Sequence, residues 1–271
     1  MSSSDDGEAS RPGALRRYDR HARVLSLNPR SSAATHAFQI AHQLALTAHS
    51  DAIGEIVRKA DFRSRDAEAV CRIGLANYFA GAAVLPYGAF LEAARELRHD
   101  LELLAERFGA SIEQVAHRLS TLQRPGLKGV PFFFARVDQA GNITKRHSAT
   151  KLQFARFGSA CPLWNVHTAF ETPNRIIRQL AETPDGIRYL CLATTVTKPG
   201  GGYRAPVQRY ALALGCEVRH APELVYADDL DTVQDEAFEP IGISCRICER
   251  QACHQRAVPP LKHKLTVDEQ A

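Results

Sequence analysis

The sequence predicts an α+β protein in two parts, and three observations carry that prediction. Ala/Leu-rich segments with helical spacing run from about 33 to 123. A Pro/Gly stretch at 123–131, QRPGLKGVP, then interrupts the pattern. Beyond it come short apolar or alternating runs bounded by turn residues, which read as strands. A chain of 271 residues is long enough for two modest cores. Its 45% hydrophobic and 24% charged content is that of a globular protein. The net charge of +4, from 34 basic and 30 acidic residues, is too balanced for a surface that coats nucleic acid. No apolar run approaches the roughly 18 residues of a membrane span.

The elements follow in order. Residues 1–13 are polar and acidic, so they are expected to be a disordered leader and not a signal peptide. LRRYDRHARVLSL, 15–27, reads as a hairpin of short strands. Helices are expected at 36–59, 66–83, 87–97, 99–108 and 111–123, with breaks at Pro86 and Gly109. PFFFARVD, a turn at Gly141-Asn142, and ITKRHSA form the next pair of strands. PNRIIRQLAET, 173–183, reads as helix-like. IRYLCLATTV and QRYALALGCEV are strands joined by the glycine-rich KPGGGYRAP. The division expected is a helical domain at 14–125, an α+β domain, GAF-like in its candidate topology, at 126–264, and a tail at 265–271.

Two motifs in the first part invite chemistry. Phe38 to Leu46 has the frame of a zinc-peptidase helix, in which two histidines at i and i+4 hold the metal and a Glu between them is the base. Here the Glu position is Gln43 and the second His position is Leu46. His49 is seven residues from His42, the wrong reach, and Ile73, Gly74 and Leu75 stand where a third, carboxylate ligand is expected. All three requirements fail together, so His42 is read as a histidine in a packed helix and the chain as not an enzyme. The helix resembles that of the ImmA/IrrE metallopeptidase-like family, without its catalytic set. The second motif spans 104–119, where Ala105, Gly109 and Val115 match helix-turn-helix spacing. A DNA-binding module would present Glu113, Gln114, His117 and Arg118. Glu113 would meet phosphate unfavourably, and the preceding helix is acidic, so this reading ranks as an alternative only.

Seven cysteines at uneven spacing do not suggest a secreted disulfide framework, and a reducing cytoplasm suits them better. Cys71, Cys191 and Cys216 lie in apolar patterns and read as ordinary buried thiols. Cys245, Cys248 and Cys253, followed by His254, crowd into one short run. A disulfide would strand one of the three, whereas a metal or an iron–sulfur cluster uses them all.

Taken together, the blocks RFGSACPLWNVH (156–167), LCLA (190–193), LGCEVRHA (214–221) and PIGISCRIC (240–248) through Pro259-Pro260 resemble the effector region of the short-chain fatty acyl transcriptional regulators, a bacterial family of the XRE class. The resemblance runs from about Leu15 to Pro260, and C-x2-C-x4-C is its most specific element. Family members begin with a helix-turn-helix, for which there is no room before Leu15, so the chain is expected to be a sensory portion that contacts DNA only through that upstream element. The resemblance implies an acyl-CoA sensor carrying a [4Fe–4S] cluster, in a transcription regulator of propionate-type catabolism, with propionyl-CoA as a representative effector. Cys245, Cys248 and Cys253 would hold one face of the cluster. Cys161 is the expected fourth ligand and His254 the reserve. Zinc suits the same sulfurs, and a zinc-stabilised interaction domain without a small-molecule ligand is the rival. A CoA ester needs cations beside an apolar slot. Lys145, Arg146, Lys151 and Arg156, interleaved with Phe154, Phe157 and Trp164, are the favoured contacts. Lys198, Arg204 and Arg209 are the second choice. A homodimer is expected, since palindromic operators favour twofold proteins.

Overall fold

The computed structural model describes residues 14–152, 154, 158–198 and 203–261. The expected leader (1–13) and tail (265–271) lie outside these residues. The chain divides into two compact units. The first holds the described residues up to Pro86 with 108–111 and 203–207, and the second the remaining helices and the main sheet, so the units part at Pro86 and not at the 125/126 boundary expected from the Pro/Gly stretch.

In the first unit, β1 (Arg16–Asp19) pairs antiparallel with β2 (Val24–Leu27), which is the expected hairpin. Its turn is set by the Asp19 carboxylate, which accepts from the N–H groups of His21 and Ala22 at 2.8 and 2.9 Å. Helix α1 (Ala33–Ala48) starts where the Ser32 hydroxyl accepts from the Thr35 N–H. The expected helix at 36–59 is in fact two, because His49 leaves helical geometry and α2 (Ser50–Ala60) begins after it. Asp61, at φ 47°, ends α2 in the left-handed region. Helix α3 (Arg65–Val84) repeats the serine cap at Ser64, carries Asp66 and Glu68 at its positive end, and stops ahead of Pro86. Ala45, Ile53, Val57 and Ala76, backed by Leu46, Leu75 and Phe79, form the core of this unit.

The second unit contains α4 (Tyr87–Glu96), α5 (Leu101–Phe108) as far as Arg107, α6 (Ile112–Ser120) and a small ribbon of β3 (Gln123–Arg124) and β4 (Leu127–Lys128). A six-stranded sheet follows: β5 (Phe132–Asp138), β6 (Ile143–Ser148), β7 (Ile177–Glu182), β8 (Arg188–Lys198), β9 (Gln208–Glu217) and β10 (Glu239–Pro240). The strand order is β10-β7-β8-β9-β5-β6, antiparallel except for the β10–β7 pair. The segment read as helix-like is strand β7. Pairing with β8 from Ile177↔Ala193 to Glu182↔Arg188 satisfies its backbone and buries Gln179, Leu180 and Ala181, so tertiary context overrides a local pattern that a helix could equally use.

Strand β5 is buried on both faces, which explains its nearly unbroken FFFA run. On one face, Phe132 and Phe134 meet the rings of His99 and His117. On the other, Phe133 packs against Phe154, Trp164 and Tyr189 at 5.8–6.1 Å between centroids. Phe133 also lies across Gly215 on β9, its register partner, where an added Cβ would come within 2.3 Å of the ring. Glycine is needed there for this close approach. The opposite-face core continues through Val137, Ala160, Cys161, Cys191, Ala193 and Ile241. It therefore ends at the segment that carries the first of the candidate ligands.

Candidate metal centre and anion site

Cys161 opens a tight turn after Ala160, with the Trp164 N–H donating to its carbonyl at 3.0 Å. Its sulfur accepts the N–H of Gly242, 81 positions along the chain, at 3.3 Å. That contact is possible because β10 lies parallel to the end of β7 and the Ile241 N–H donates to the Glu182 carbonyl at 2.9 Å, which lays 241–242 beside the Cys161 turn. Cys245 and Cys248 then bracket a single 3-10 turn, Cys245–Ile247. Arg250 fastens the loop to the sheet edge, donating to the carbonyls of Glu182 (2.7 Å) and Ile241 (3.2 Å). Arg256 closes the loop on itself through the carbonyls of Cys245 and Arg250.

The result is a pocket of about 300 Å³, open solvent included, lined by Cys161, Cys245, Cys248 and Cys253. Arg250 and Arg256 also line it, whereas His254 does not. Gly242 sits between the sulfurs: a Cβ there would lie 2.8 Å from the Cys248 Sγ and 4.0 Å from the Cys161 Sγ. Burial pushes the Cys161 thiol above its ordinary value, while the N–H groups of Gly242 and Leu163 pull it back down. Four thiols, of which Cys161 receives backbone N–H groups, form the donor set that suits an iron–sulfur cluster or a tetrahedral zinc. The sulfurs share a pocket but not a bonded arrangement: among the described residues, no group of three or more His, Cys, Asp or Glu side chains stands in metal-holding geometry. Cys191 and Cys216 are buried in the sheet, their thiols pushed up by desolvation, to about 12 for Cys191. Cys71 packs against the first unit's core.

The basic run divides between the two faces of its strand. On β6, Lys145 lies opposite Arg136 and Arg146 opposite Ala135, so the two side chains leave on different sides of the sheet. Lys151 is exposed, and Arg156 lies outside the described residues. Trp164 is 5% exposed and wedged against Phe133 and Phe154, a core position. Lys145 instead joins Lys198, from the second basic group, on one carboxylate. Glu113, in the first turn of α6, has Arg136 at 3.0 Å, Lys198 at 3.3 Å and Lys145 at 3.8 Å. Burial alone would raise the Glu113 carboxyl, but the three cations together hold it below the usual carboxylate range. Arg136 escaped the sequence reading, although a lone cation inside FFFARVD was the available signal.

This arrangement counts against the helix-turn-helix alternative. Glu113 is tied to the sheet, the His117 ring lies on Phe134, and Arg118 is buried. Three of the four side chains that would enter a DNA groove are thus engaged within the fold.

Two family models match the chain. Residues 9–120 match the IrrE N-terminal-like domain, and residues 121–271 match the family described as short-chain fatty acyl coenzyme A regulator, C-terminal. The chain belongs to the short-chain fatty acyl coenzyme A regulator family. Within this regulator family, it is 66% identical over 249 residues to the propionyl-CoA carboxylase regulator of Cereibacter sphaeroides, covering 92% of this chain and 54% of that one. It is 50% identical over 258 residues to the HTH-type transcriptional regulator PrpR of Mycobacterium tuberculosis, covering 95% and 53%. A solved Mycobacterium tuberculosis transcriptional regulator superposes with a TM-score of 0.91 at 48% identity, covering 98% of this chain and 80% of that one. The chain spans about half the length of the curated relatives it matches. The relatives it matches are named as regulators, not as enzymes. In the peptidase-like helix, His42 is buried with its Nδ1 2.8 Å from the Asn77 Oδ1, and desolvation, with Arg16 nearby, lowers its basicity. No single helix among the described residues is long and apolar enough to cross a membrane.

Proposed function

We propose that the chain is the ligand- and redox-sensing portion of a transcription regulator of short-chain fatty acid catabolism, of the propionate type. In this reading it binds a short-chain acyl-CoA such as propionyl-CoA and holds a [4Fe–4S] cluster on Cys161, Cys245, Cys248 and Cys253. The observation that carries it is the meeting of these four thiols, from two distant parts of the sequence, at one pocket of a chain in this family. When bound, the cluster supplies a centre whose charge and integrity respond to oxidants. The chain's own part is to orient and stabilise the sulfurs. The Gly242 N–H donates to Cys161, Arg250 fixes the loop to β7, and the cationic side chains of Arg250 and Arg256 line the thiol pocket. In this reading the described residues sense the ligand and do not form the DNA-contacting surface, so a salt-dependent operator shift that depends on them would count against it. The working state is a homodimer in a reducing cytoplasm.

The test is an ultraviolet–visible spectrum of anaerobically purified protein with iron, sulfide and zinc analysis. A visible shoulder lost on oxidation, with iron and sulfide in equal amounts, supports the cluster. A colourless protein with stoichiometric zinc replaces it with the zinc-stabilised alternative, and a protein with neither overturns the metal reading. Propionyl-CoA should raise the thermal midpoint, because a ligand that binds only the folded state stabilises it. An unchanged midpoint at saturating ligand counts against the acyl-CoA reading.

A further inference from the structure

Glu113 has more positive charge around it than a structural clamp requires. One carboxylate faces three cations, Arg136, Lys145 and Lys198, which leaves two positive charges uncompensated among the described residues. Lys145 feels both its own burial and these neighbours. Burial lowers the basicity of its ammonium, Arg136 and Lys198 push the same way, and Glu113 alone among these neighbours opposes them. The adjacent His117 adds no charge near neutral pH, since desolvation first and then Lys145 push it down to about 3.

The cations are also held in place. Arg136 stacks over the Tyr210 ring at 4.5 Å and donates from Nε to the Thr144 hydroxyl at 3.0 Å. Lys198 lies over the same ring at 5.6 Å. Yet the lysine side chains stay 38% and 48% exposed, so a solute can reach them. A guanidinium fork and two ammonium groups, fixed on an aromatic platform with surplus positive charge, are what a multiply charged phosphate ligand needs.

We propose that Arg136, Lys145 and Lys198, gathered around Glu113 between α6 and the sheet, hold the phosphate groups of the ligand. The site takes phosphate-bearing ligands as a class. Its assignment to an acyl-CoA rests on the function proposed above. It lies on the opposite face of the sheet from the core that ends at Cys161. Glu113 acts as an internal competitor, keeping the three cations together when no ligand is present.

The experiment is isothermal titration of the full chain with propionyl-CoA and, separately, with inorganic pyrophosphate. The variants are the Lys145→Met/Lys198→Met pair, Glu113→Gln, and a Lys59→Met/Lys128→Met pair that removes the same charge elsewhere. The first pair should weaken propionyl-CoA at least tenfold and flatten its dependence on salt, while the control pair stays within twofold of wild type. Glu113→Gln, which frees the cations, should bind pyrophosphate more tightly. A folded Lys145→Met/Lys198→Met protein with wild-type affinity for propionyl-CoA overturns the site and leaves the acyl-CoA reading standing. Wild-type binding of pyrophosphate that depends on the two lysines, with no binding of propionyl-CoA, keeps the site and rejects that reading. A wild-type chain that binds neither probe overturns both.

Discussion

Gly242 offers the sharpest test of the thiol pocket. In Gly242→Ala the new Cβ would stand 2.8 Å from the Cys248 Sγ, against the 3.4 Å at which ordinary contact begins, so the sulfur has to retreat by about 0.6 Å. The Cys248 Cβ, already at 3.4 Å, limits how the side chain can turn away. Metal–ligand distances tolerate departures of only about 0.2 Å, so the displacement is about three times what a sulfur ligand can absorb. Overpacking of this kind costs about 1–3 kcal/mol, or about 2–12 °C in midpoint for a unit of this size. The N–H of residue 242 remains, so the hydrogen bond to Cys161 is not what is tested. The assay is metal and sulfide content per chain after anaerobic purification, with the thermal midpoint measured alongside. The expected result is a lower midpoint together with metal content below half of wild type. A variant that loads metal to the wild-type level and melts within a degree of it refutes the reasoning.

His117 and Glu113 together predict acid sensitivity. With the His117 value depressed to about 3, an unfolded chain binds a proton that the folded one refuses between about pH 6.5 and 3, so stability falls as pH drops through that window by up to about 1.4 kcal/mol per unit. His117→Phe, which keeps a ring against Phe134, should flatten urea midpoints measured from pH 7 to 4.5, and a profile as steep as wild type would contradict the assignment. Glu113 acts further down: its depressed carboxyl stabilises the fold above the unfolded value of about 4.3, and that contribution is lost as pH falls through the folded value. Glu113→Gln should therefore steepen nothing below pH 4, where wild type should lose stability fastest. Phe133→Ala, which empties the space over Gly215 and beside Trp164, should cost about 3–5 kcal/mol in denaturant unfolding; a cost under 1 kcal/mol would mean the site collapses around the gap.

What could be read in advance was local. Pro86 and Gly109 announce helix breaks, Gly141-Asn142 announces a hairpin, and C-x2-C-x4-C announces itself by spacing. The rest depended on distance along the chain. Ile177–Glu182 carries a pattern compatible with a helix, and only its pairing with β8 makes it a strand. The break at His49 lies inside an unbroken helical periodicity. Lys145 and Lys198 looked like members of two separate basic groups, and no local signal connects them, because the connection is a carboxylate on α6. Trp164 was legible as an aromatic in a motif-dense block but not as a core residue, since the ring that buries it, Phe133, lies on another strand.

The sulfur pocket draws on both sides of three consecutive strands: Cys161 precedes β7, β8 and β9, and Cys245 follows them. It can therefore come together only after those strands have found their register and β10 has docked on β7, which makes it one of the last features to form as the chain folds. An inorganic centre seated there would act as a seal on a completed sheet, and chains stalled with β7–β9 unpaired could not acquire one.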